Sequence, residues 1–326
     1  MTKQRISCVI ACYKDGQAIP IMYERIVKTF EALPIDYEII FVNDASPDNT
    51  IDELKKITSK DKNVIGINHR RNFGSQSAFL SGLKISTGDA VVLLDGDLQD
   101  PPELIKDFYF KWQEGFNVVY GLRLKREVSW IMQAAYKAFY RIFNKVASFK
   151  VPTDAGDFSL IDRQSVNEIL KFGEFDIFLR AIRAYIGGRQ VGIPYLRPER
   201  MFGKSTNNVF KNIGWATKGI LAVSRVPLTL ISVFSTFFIA IFLTIGIGFV
   251  IYSTISSQSN FNGWINVFLI INFVLLLLCF LSIAIVGEYV GRILEETKNR
   301  PRYLIANFVY KGDIIPSIEN FLNEPR

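Results

Sequence analysis

Two regimes of hydrophobic patterning divide the chain. Over roughly its first hundred residues, continuous apolar runs at 6–13, 37–42, 64–68 and 90–94 alternate with helical patterning and are punctuated by Gly, Pro, Asn and Asp. Runs of that length without polar alternation suit strands buried on both faces, and strands alternating with helices predict a parallel, doubly wound α/β sheet. Helices are expected from about residue 17 to Leu33, from Pro47 to about Ser59 with Ser46 as the cap, and over 74–85.

The second regime is a stretch of 62 residues, beginning at Val226 and ending at Gly287, with no Asp, Glu, Lys or Arg. A spanning helix needs roughly 20 apolar residues. Two candidates, 226–252 and 264–287, flank the polar but uncharged 253–263, which predicts a transmembrane hairpin. Lys211, Lys218 and Arg225 precede it, Arg292, Lys298 and Arg300 follow it, and the connecting loop carries no cation. The positive-inside rule therefore puts both ends in the cytoplasm. The first sixteen residues lack the apolar core of a signal peptide, so a cytosolic domain is expected ahead of the hairpin.

Two further stretches are amphipathic at helical spacing. In 128–149, Val128, Met132, Ala135, Phe139 and Ile142 share a face opposite Lys137, Arg141 and Lys145; in 204–225, Val209, Ile213, Ala216 and Ile220 lie opposite Lys211 and Lys218. Both suit helices lying in a membrane interface. Trp130 and Trp215 fall on the basic faces, where a second subunit of a homo-oligomer could cover them. The expected organisation is a cytosolic domain at 1–203 that includes the interfacial helix, a juxtamembrane helix at 204–225, the hairpin at 226–287 and a cytosolic tail at 288–326 without a readable role.

Composition narrows the chemistry. There are 38 Lys+Arg against 31 Asp+Glu, a formal net charge of +7. The cations gather around the membrane segments, where anionic headgroups attract them, and no extended basic face or stacking platform points to nucleic acid. A single histidine, His69, argues against His-based triads and two-His metal centres. Three cysteines form no disulfide framework and read as small buried hydrophobes in a reducing compartment.

In doubly wound sheets ligands sit beyond the carboxyl ends of the strands. Asp15, Asp44, Asp95 and Asp97 all fall there, which makes one acidic crevice. The most specific element is Asp95-Gly96-Asp97. It offers two hard oxygen donors on one side of a strand end, with a glycine that lets the backbone approach a ligand, a combination suited to Mg²⁺ or Mn²⁺. The first strand lacks G-x-G-x-x-G, and Gly203-Lys204-Ser205 has Pro198 where a P-loop needs its first glycine. A cation bridging two phosphates of a nucleotide fits the crevice better than a dinucleotide does.

Taken in order, Cys12-Tyr13-Lys14-Asp15, Val42-Asn43-Asp44, Arg71-Asn72-Phe73-Gly74, Asp95-Gly96-Asp97-Leu98-Gln99-Asp100-Pro101-Pro102-Glu103, Gly156-Asp157-Phe158 and Arg200-Met201-Phe202-Gly203-Lys204-Ser205 resemble glycosyltransferase family 2. More narrowly they are similar to its polyprenyl-phosphate glycosyltransferases, the group of bactoprenol glucosyltransferase and dolichyl-phosphate mannose synthase. The resemblance covers nearly the whole chain, hairpin included, and implies a GT-A type, Rossmann-like nucleotide-sugar domain. It implies that Tyr13, Asp15 and Asp44, with the backbone of Ala11 and Val42, hold base and ribose beside Gly96, and that Asp95, Asp97 and Gln99 bind the divalent cation. It further implies that Asp157 lies near the acceptor and that Arg123, Arg200 and Lys204 hold donor and acceptor phosphates.

The reaction so implied is a metal-dependent, inverting transfer of a hexose, glucose from UDP-glucose by preference, to undecaprenyl phosphate at the cytoplasmic face of a bacterial inner membrane. Mannose and aminoarabinose donors are the near alternatives. A processive polysaccharide synthase would need more spans and a Gln-x-x-Arg-Trp motif that the chain lacks. A non-catalytic assembly subunit is disfavoured by the intact Asp95, Asp97 and Gln99. Two spans are few for a flipping pathway, so a separate flippase and a downstream glycosyltransferase are the expected partners.

Overall fold

The computed structural model describes residues 3–124, 152, 155–174, 177–198, 201–202, 226–255 and 261–324. The two amphipathic stretches, together with Arg200 and Lys204, lie outside the described residues. The described residues fall into two compact units, one holding the N-terminal region together with the residues from Pro301 onward, the other holding the two long apolar helices.

In the first unit the chain runs β1 (Arg5–Cys12), α1 (Ile19–Glu31), β2 (Asp36–Asn43), α2 (Thr50–Thr58), β3 (Val64–His69), α3 (Ser75–Ile85), β4 (Ala90–Asp95), α4 (Ile105–Gln113), β5 (Val118–Arg123), β6 (Ala155–Asp162), α5 (Arg163–Ile169), α6 (Leu179–Ile186) and β7 (Gln190–Tyr195). One sheet has the strand order β7-β5-β6-β4-β1-β2-β3, and it continues through two C-terminal strands, β8 (Ile305–Tyr310) and β9 (Asp313–Ile315). The β3-β2-β1-β4 core is parallel, as the apolar runs predict. β6 runs antiparallel to β4 and β5, and β8 antiparallel to β3.

The continuous apolar strands alternate between two cores. Ile6, Cys8, Ile10 and Cys12 of β1 join Ile39 and Phe41 of β2 and Val92 and Leu94 of β4 under α1, α2 and α4. Val9 and Ala11, with Ile40, Val42, Val91 and Leu93, face the opposite layer, where α3, α5 and α6 pack. Period-two side-chain alternation with both faces covered is what a run without polar gaps requires. α3 lies so close to β1 that a Cβ on Gly82 would meet Val9 Cγ1 at 2.2 Å.

The second helix begins later than its sequence suggests. Ser46 and Pro47 precede it in a turn organised by Asp48, whose carboxylate accepts from Thr50 N (3.1 Å), Ser46 Oγ (2.5 Å) and Gly16 N (2.9 Å). Ala45 occupies the left-handed region at φ 54°. Asp48 thus takes the place expected for Ser46 in ordering this helix start.

In the second unit, α7 (Val226–Ile255) and α8 (Phe261–Thr297) contain segments long and apolar enough to cross a membrane, Leu228–Gly248 and Ile271–Thr297. α8 continues ten residues past the charge-free run. Within them Glu288 and Arg292 form an i,i+4 pair at 3.5 Å, and the tail expected from 288 begins as helix. Cys8 and Cys12 are buried in the first unit, and Cys279 lies within the apolar segment Ile271–Thr297 of α8.

The residues after Pro301 are a structured part of the first unit. β8 closes the β3 edge, and α9 (Ile318–Leu322), capped by Ser317 Oγ accepting from Asn320 N at 3.2 Å, drives Phe321 into the core. Phe321 is fully buried and stacks on Phe308 with centroids 4.4 Å apart.

Candidate active site

The carboxyl ends of β1, β2 and β4 open into a cavity of about 310 Å³. Of the residues singled out in the sequence, Ala11, Tyr13, Asp15, Asp44, Asp95, Gly96 and Asp97 line it, joined by Cys12, Lys14, Asn72, Gly74, Ser75 and Ala78. Val42 does not; it is fully buried in the core beneath. Gln99, Arg123 and Asp157 also lie outside the lining.

Local geometry explains the lining. Gly96 N donates to Ala11 O at 2.9 Å, tying the ends of β1 and β4 together. A Cβ on Gly96 would sit 3.0 Å from both Ala11 O and Cys12 Sγ, so a side chain there would crowd the cavity floor. Lys14 turns the chain at φ 63°, and Asp15 Oδ2 accepts from Tyr13 N at 3.0 Å, while Tyr13, 39% exposed and with Lys14 Nζ 5.5 Å from its ring centroid, forms a wall of the cavity.

Asp44 is more deeply embedded than its sequence setting suggests. Its Oδ1 accepts from Phe73 N (2.9 Å) and lies 2.8 Å from His69 Nδ1, and its Oδ2 accepts from Gly74 N (2.7 Å). His69 Nε2 in turn lies 2.9 Å from Ser81 Oγ. The Asp-His-Ser chain has the connectivity of a hydrolytic triad, yet Ser81 is fully buried and donates to Ala78 O at 2.9 Å. It orders the 71–75 loop and cannot reach a substrate.

A second group of acids lies alongside. The β4–β6 register pairs Leu93 with Ser159, and continued by two residues it brings Asp157 beside Asp95. Burial, reinforced by Asp100, Asp157 and Asp97 and opposed by Arg123, pushes the Asp95 carboxyl up to about 7. Asp100 is fully buried and also raised, chiefly by burial. Tyr195 donates to its Oδ1, Arg197 Nε lies 3.6 Å from that oxygen, and Arg123 Nη2 is 3.7 Å from Oδ2, which has no hydrogen-bond partner among the described residues. Arg197 Nη2 also lies 3.8 Å from Asp97 Oδ2. The Gln99 amide donates to Pro198 O at 3.1 Å, clamping the loop after β7 to the acidic turn.

This donor set fits a hard divalent cation. Burial first, and then three acids beside it, raise the Asp95 carboxyl, and the clustered oxygens are of the kind Mg²⁺ and Mn²⁺ take. Among the described residues no three of His, Cys, Asp and Glu stand close enough to chelate a metal by themselves. An ion held by Asp95 and Asp97 would complete its shell from a ligand's phosphates and water, the usual arrangement for Mg²⁺.

Asp157 is set apart by its partners. Arg180 grips it with Nε to Oδ1 at 3.1 Å and Nη2 to Oδ2 at 2.9 Å. Burial would raise its carboxyl, but Arg180, then Arg183 and Gln76, hold it down at about 2. Buried Arg183 donates to the carbonyls of Gly156 (2.7 Å) and Asp157 (3.2 Å). These arginines escaped sequence reasoning; the available signal was the i,i+3 pair Arg180 and Arg183 in an otherwise apolar helix. At Gly156 a Cβ would meet the Arg123 guanidinium at 2.9 Å, so glycine leaves room for that side chain to reach Asp100.

Residues 7–170 match glycosyl transferase family 2. The chain is 34% identical over 304 residues to a bactoprenol glucosyl transferase of Shigella phage SfX, covering 93% of this chain and 99% of that protein. It is 32% identical over 302 residues to the prophage bactoprenol glucosyl transferase homolog of Escherichia coli K12, covering 92% and 98%. Among solved structures, the mannosyltransferase PcManGT from Pyrobaculum calidifontis in complex with GDP-Man and Mn²⁺ aligns with a TM-score of 0.49 at 16% identity, over 68% of this chain and 64% of that one. With the family match over residues 7–170 and this span of shared sequence, the chain belongs to glycosyl transferase family 2 and is a glycosyltransferase.

Proposed function

We propose that the protein transfers glucose from UDP-glucose to undecaprenyl phosphate at the cytoplasmic face of the membrane, inverting the anomeric carbon. The observation that carries this reading is the single cavity that joins Tyr13, Asp15 and Asp44 to Asp95, Gly96 and Asp97. A nucleotide lying across it would put its base and ribose against the first three and its diphosphate over the last three. The glucosyl and bactoprenol assignments follow the relatives that carry those words in their names. The basic residues on both flanks of the apolar hairpin support the orientation.

A divalent cation at Asp95 and Asp97, with Gln99 close by in sequence, would supply charge neutralisation for the leaving diphosphate. Arg123, Arg200 and Lys204 hold phosphates of donor and acceptor. One oxygen of the lipid phosphate forms a bond to the anomeric carbon as the bond to the diphosphate breaks, and the departing UDP carries away the electron pair. An α-linked donor then gives a β-linked product. The attacking phosphate is already anionic near pH 7, so no proton has to be removed. Asp157, held ionised by Arg180, orients the acceptor side of the site and does not act as a base.

Transfer of radiolabelled sugar from UDP-glucose, GDP-mannose and other nucleotide sugars to undecaprenyl phosphate, with Mg²⁺ or Mn²⁺ and with chelator, tests the proposal. Cation-dependent labelling of the lipid from UDP-glucose is expected. Labelling from another donor would replace the sugar. No labelling from any donor, by folded protein supplied with lipid, would overturn the reaction and favour an assembly role.

A further inference from the structure

The C-terminal segment touches the first unit in two different ways. Phe308, Tyr310, Ile315 and Phe321 anchor it in the core beside α3 and α5. Tyr303, itself packed against that core, and Asn307 also make a further set of contacts that leads to the walls of the donor cavity. Asn307 Oδ1 accepts from Asn68 Nδ2 at 2.6 Å, Asn68 Oδ1 accepts from Asn43 Nδ2 at 2.9 Å, and Asn43 Oδ1 accepts from Ser46 N at 2.9 Å. Ser46 Oγ then accepts from the backbone N–H of Lys14, a cavity residue, at 2.8 Å. The chain of amides thus crosses from β8 over β3 and β2 to the turn after β1.

The second route runs through His69. The Tyr303 ring stacks on its imidazole with centroids 5.5 Å apart and planes 7° from parallel, while Phe73 meets the imidazole edge-on at 5.8 Å. His69 bonds Asp44, which holds Phe73 N and Gly74 N, and both Asp44 and Gly74 line the cavity. Arg70 N donates to Leu304 O at 2.8 Å, fixing the β3 end to the same segment.

Anchoring alone does not call for this arrangement. Backbone pairing and four apolar side chains already seat β8 and α9, whereas Asn43 and Asn68, buried to 0% and 3% exposure, are tolerable only with their amides paired. Polar chains of this kind over-determine the position of what they end on, and here they end on the two loops that frame the cavity. We propose that Tyr303 and Asn307 are positioning residues of the donor site, the first setting the 72–75 loop through His69 and Asp44, the second setting the 13–16 turn through Asn68, Asn43 and Ser46. The inference rests on the reading of the cavity as the nucleotide-sugar site.

The test uses the full chain in lipid nanodiscs, with UDP binding by calorimetry, steady-state kinetics against UDP-glucose and undecaprenyl phosphate, and thermal melting. Tyr303→Leu and Asn307→Ala should each raise the UDP dissociation constant and the KM for UDP-glucose about tenfold, the cost of loops that no longer hold the nucleotide in place. The KM for the lipid and kcat should stay within twofold of wild type. Tyr303→Phe keeps the stacked ring and should rescue. Phe321→Leu, which loosens the anchor without touching either chain, serves as the stability reference. Unchanged UDP affinity in Tyr303→Leu and Asn307→Ala would overturn the proposal, as would equal losses in these variants and in Phe321→Leu at matched melting temperature. Wild-type protein that binds none of UDP, GDP and their sugars would overturn the reading of the cavity itself, and this inference with it.

Discussion

Arg180 holds Asp157 in a two-point grip, Nε to Oδ1 at 3.1 Å and Nη2 to Oδ2 at 2.9 Å. A carboxylate so paired, with its carboxyl near 2, is a poor proton acceptor at neutral pH. Asp157→Asn should therefore lower kcat by misplacing the acceptor side of the site while leaving the shape of the kcat profile between pH 5 and 9 as in wild type. A profile limb present in wild type and missing in Asp157→Asn would restore the base role.

The same pair sets a dependence of stability on pH. The Asp157 carboxyl is lowered in the folded chain from an ordinary 3.8 to about 2, so its contribution is present above the unfolded value and is lost as pH falls through the folded one. A shift of that size corresponds to about 2 kcal/mol. Denaturant titrations should show wild type more stable than Asp157→Asn at pH 7, with the gap closing between about pH 4 and pH 2. A gap independent of pH in that window would mean that packing, not charge pairing, separates the two proteins.

Asp95 lies on the opposite side of the balance. Its carboxyl is raised to about 7 by burial and by Asp100, Asp157 and Asp97, so its charged form opposes folding and does so increasingly as pH rises. Asp95→Asn should gain about 1 kcal/mol or more at pH 8 in chelator, and should lose sugar transfer in any divalent cation. Higher melting temperature together with abolished activity would mark stability given up for function. A variant that melts lower in chelator would contradict the electrostatic account.

Much of this was legible because the information was local. Each strand of the β3-β2-β1-β4 core announces itself as an apolar run, and the residues just after such runs, Asp15, Asp44, Asp95 and Asp97, meet in one cavity by the geometry of the fold. What stayed hidden depends on partners distant in sequence. Asn307 meets Asn68 across a separation of 239 residues, and nothing in the run Ile305–Tyr310 identifies its neighbour as β3. Arg180 finds Asp157 only because α6 packs back against β6. The start of α2 differs from its expected position for another reason, since Asp48 and not Ser46 accepts from Thr50 N, while Ser46 Oγ accepts from Lys14 N of the neighbouring turn.

Phe321 tests how firmly the C-terminal segment is seated. Its ring is fully buried, stacks on Phe308 at an interplanar angle of 3° and meets Tyr310 edge-on at 5.9 Å. Truncation to Ala would remove a large aromatic from a position with little room to relax, a loss of about 3–5 kcal/mol where the cavity stays open. α9 is only five residues long, so it can detach and spare part of that cost. Phe321→Ala should therefore lower global stability by less than a central core truncation such as Phe41→Ala, while amide exchange along β8 and β9 accelerates strongly and exchange along β1 and β4 does not. Equal acceleration in β8 and β1 would show that the segment unfolds only with the whole domain, and Phe321 would then belong to the global core.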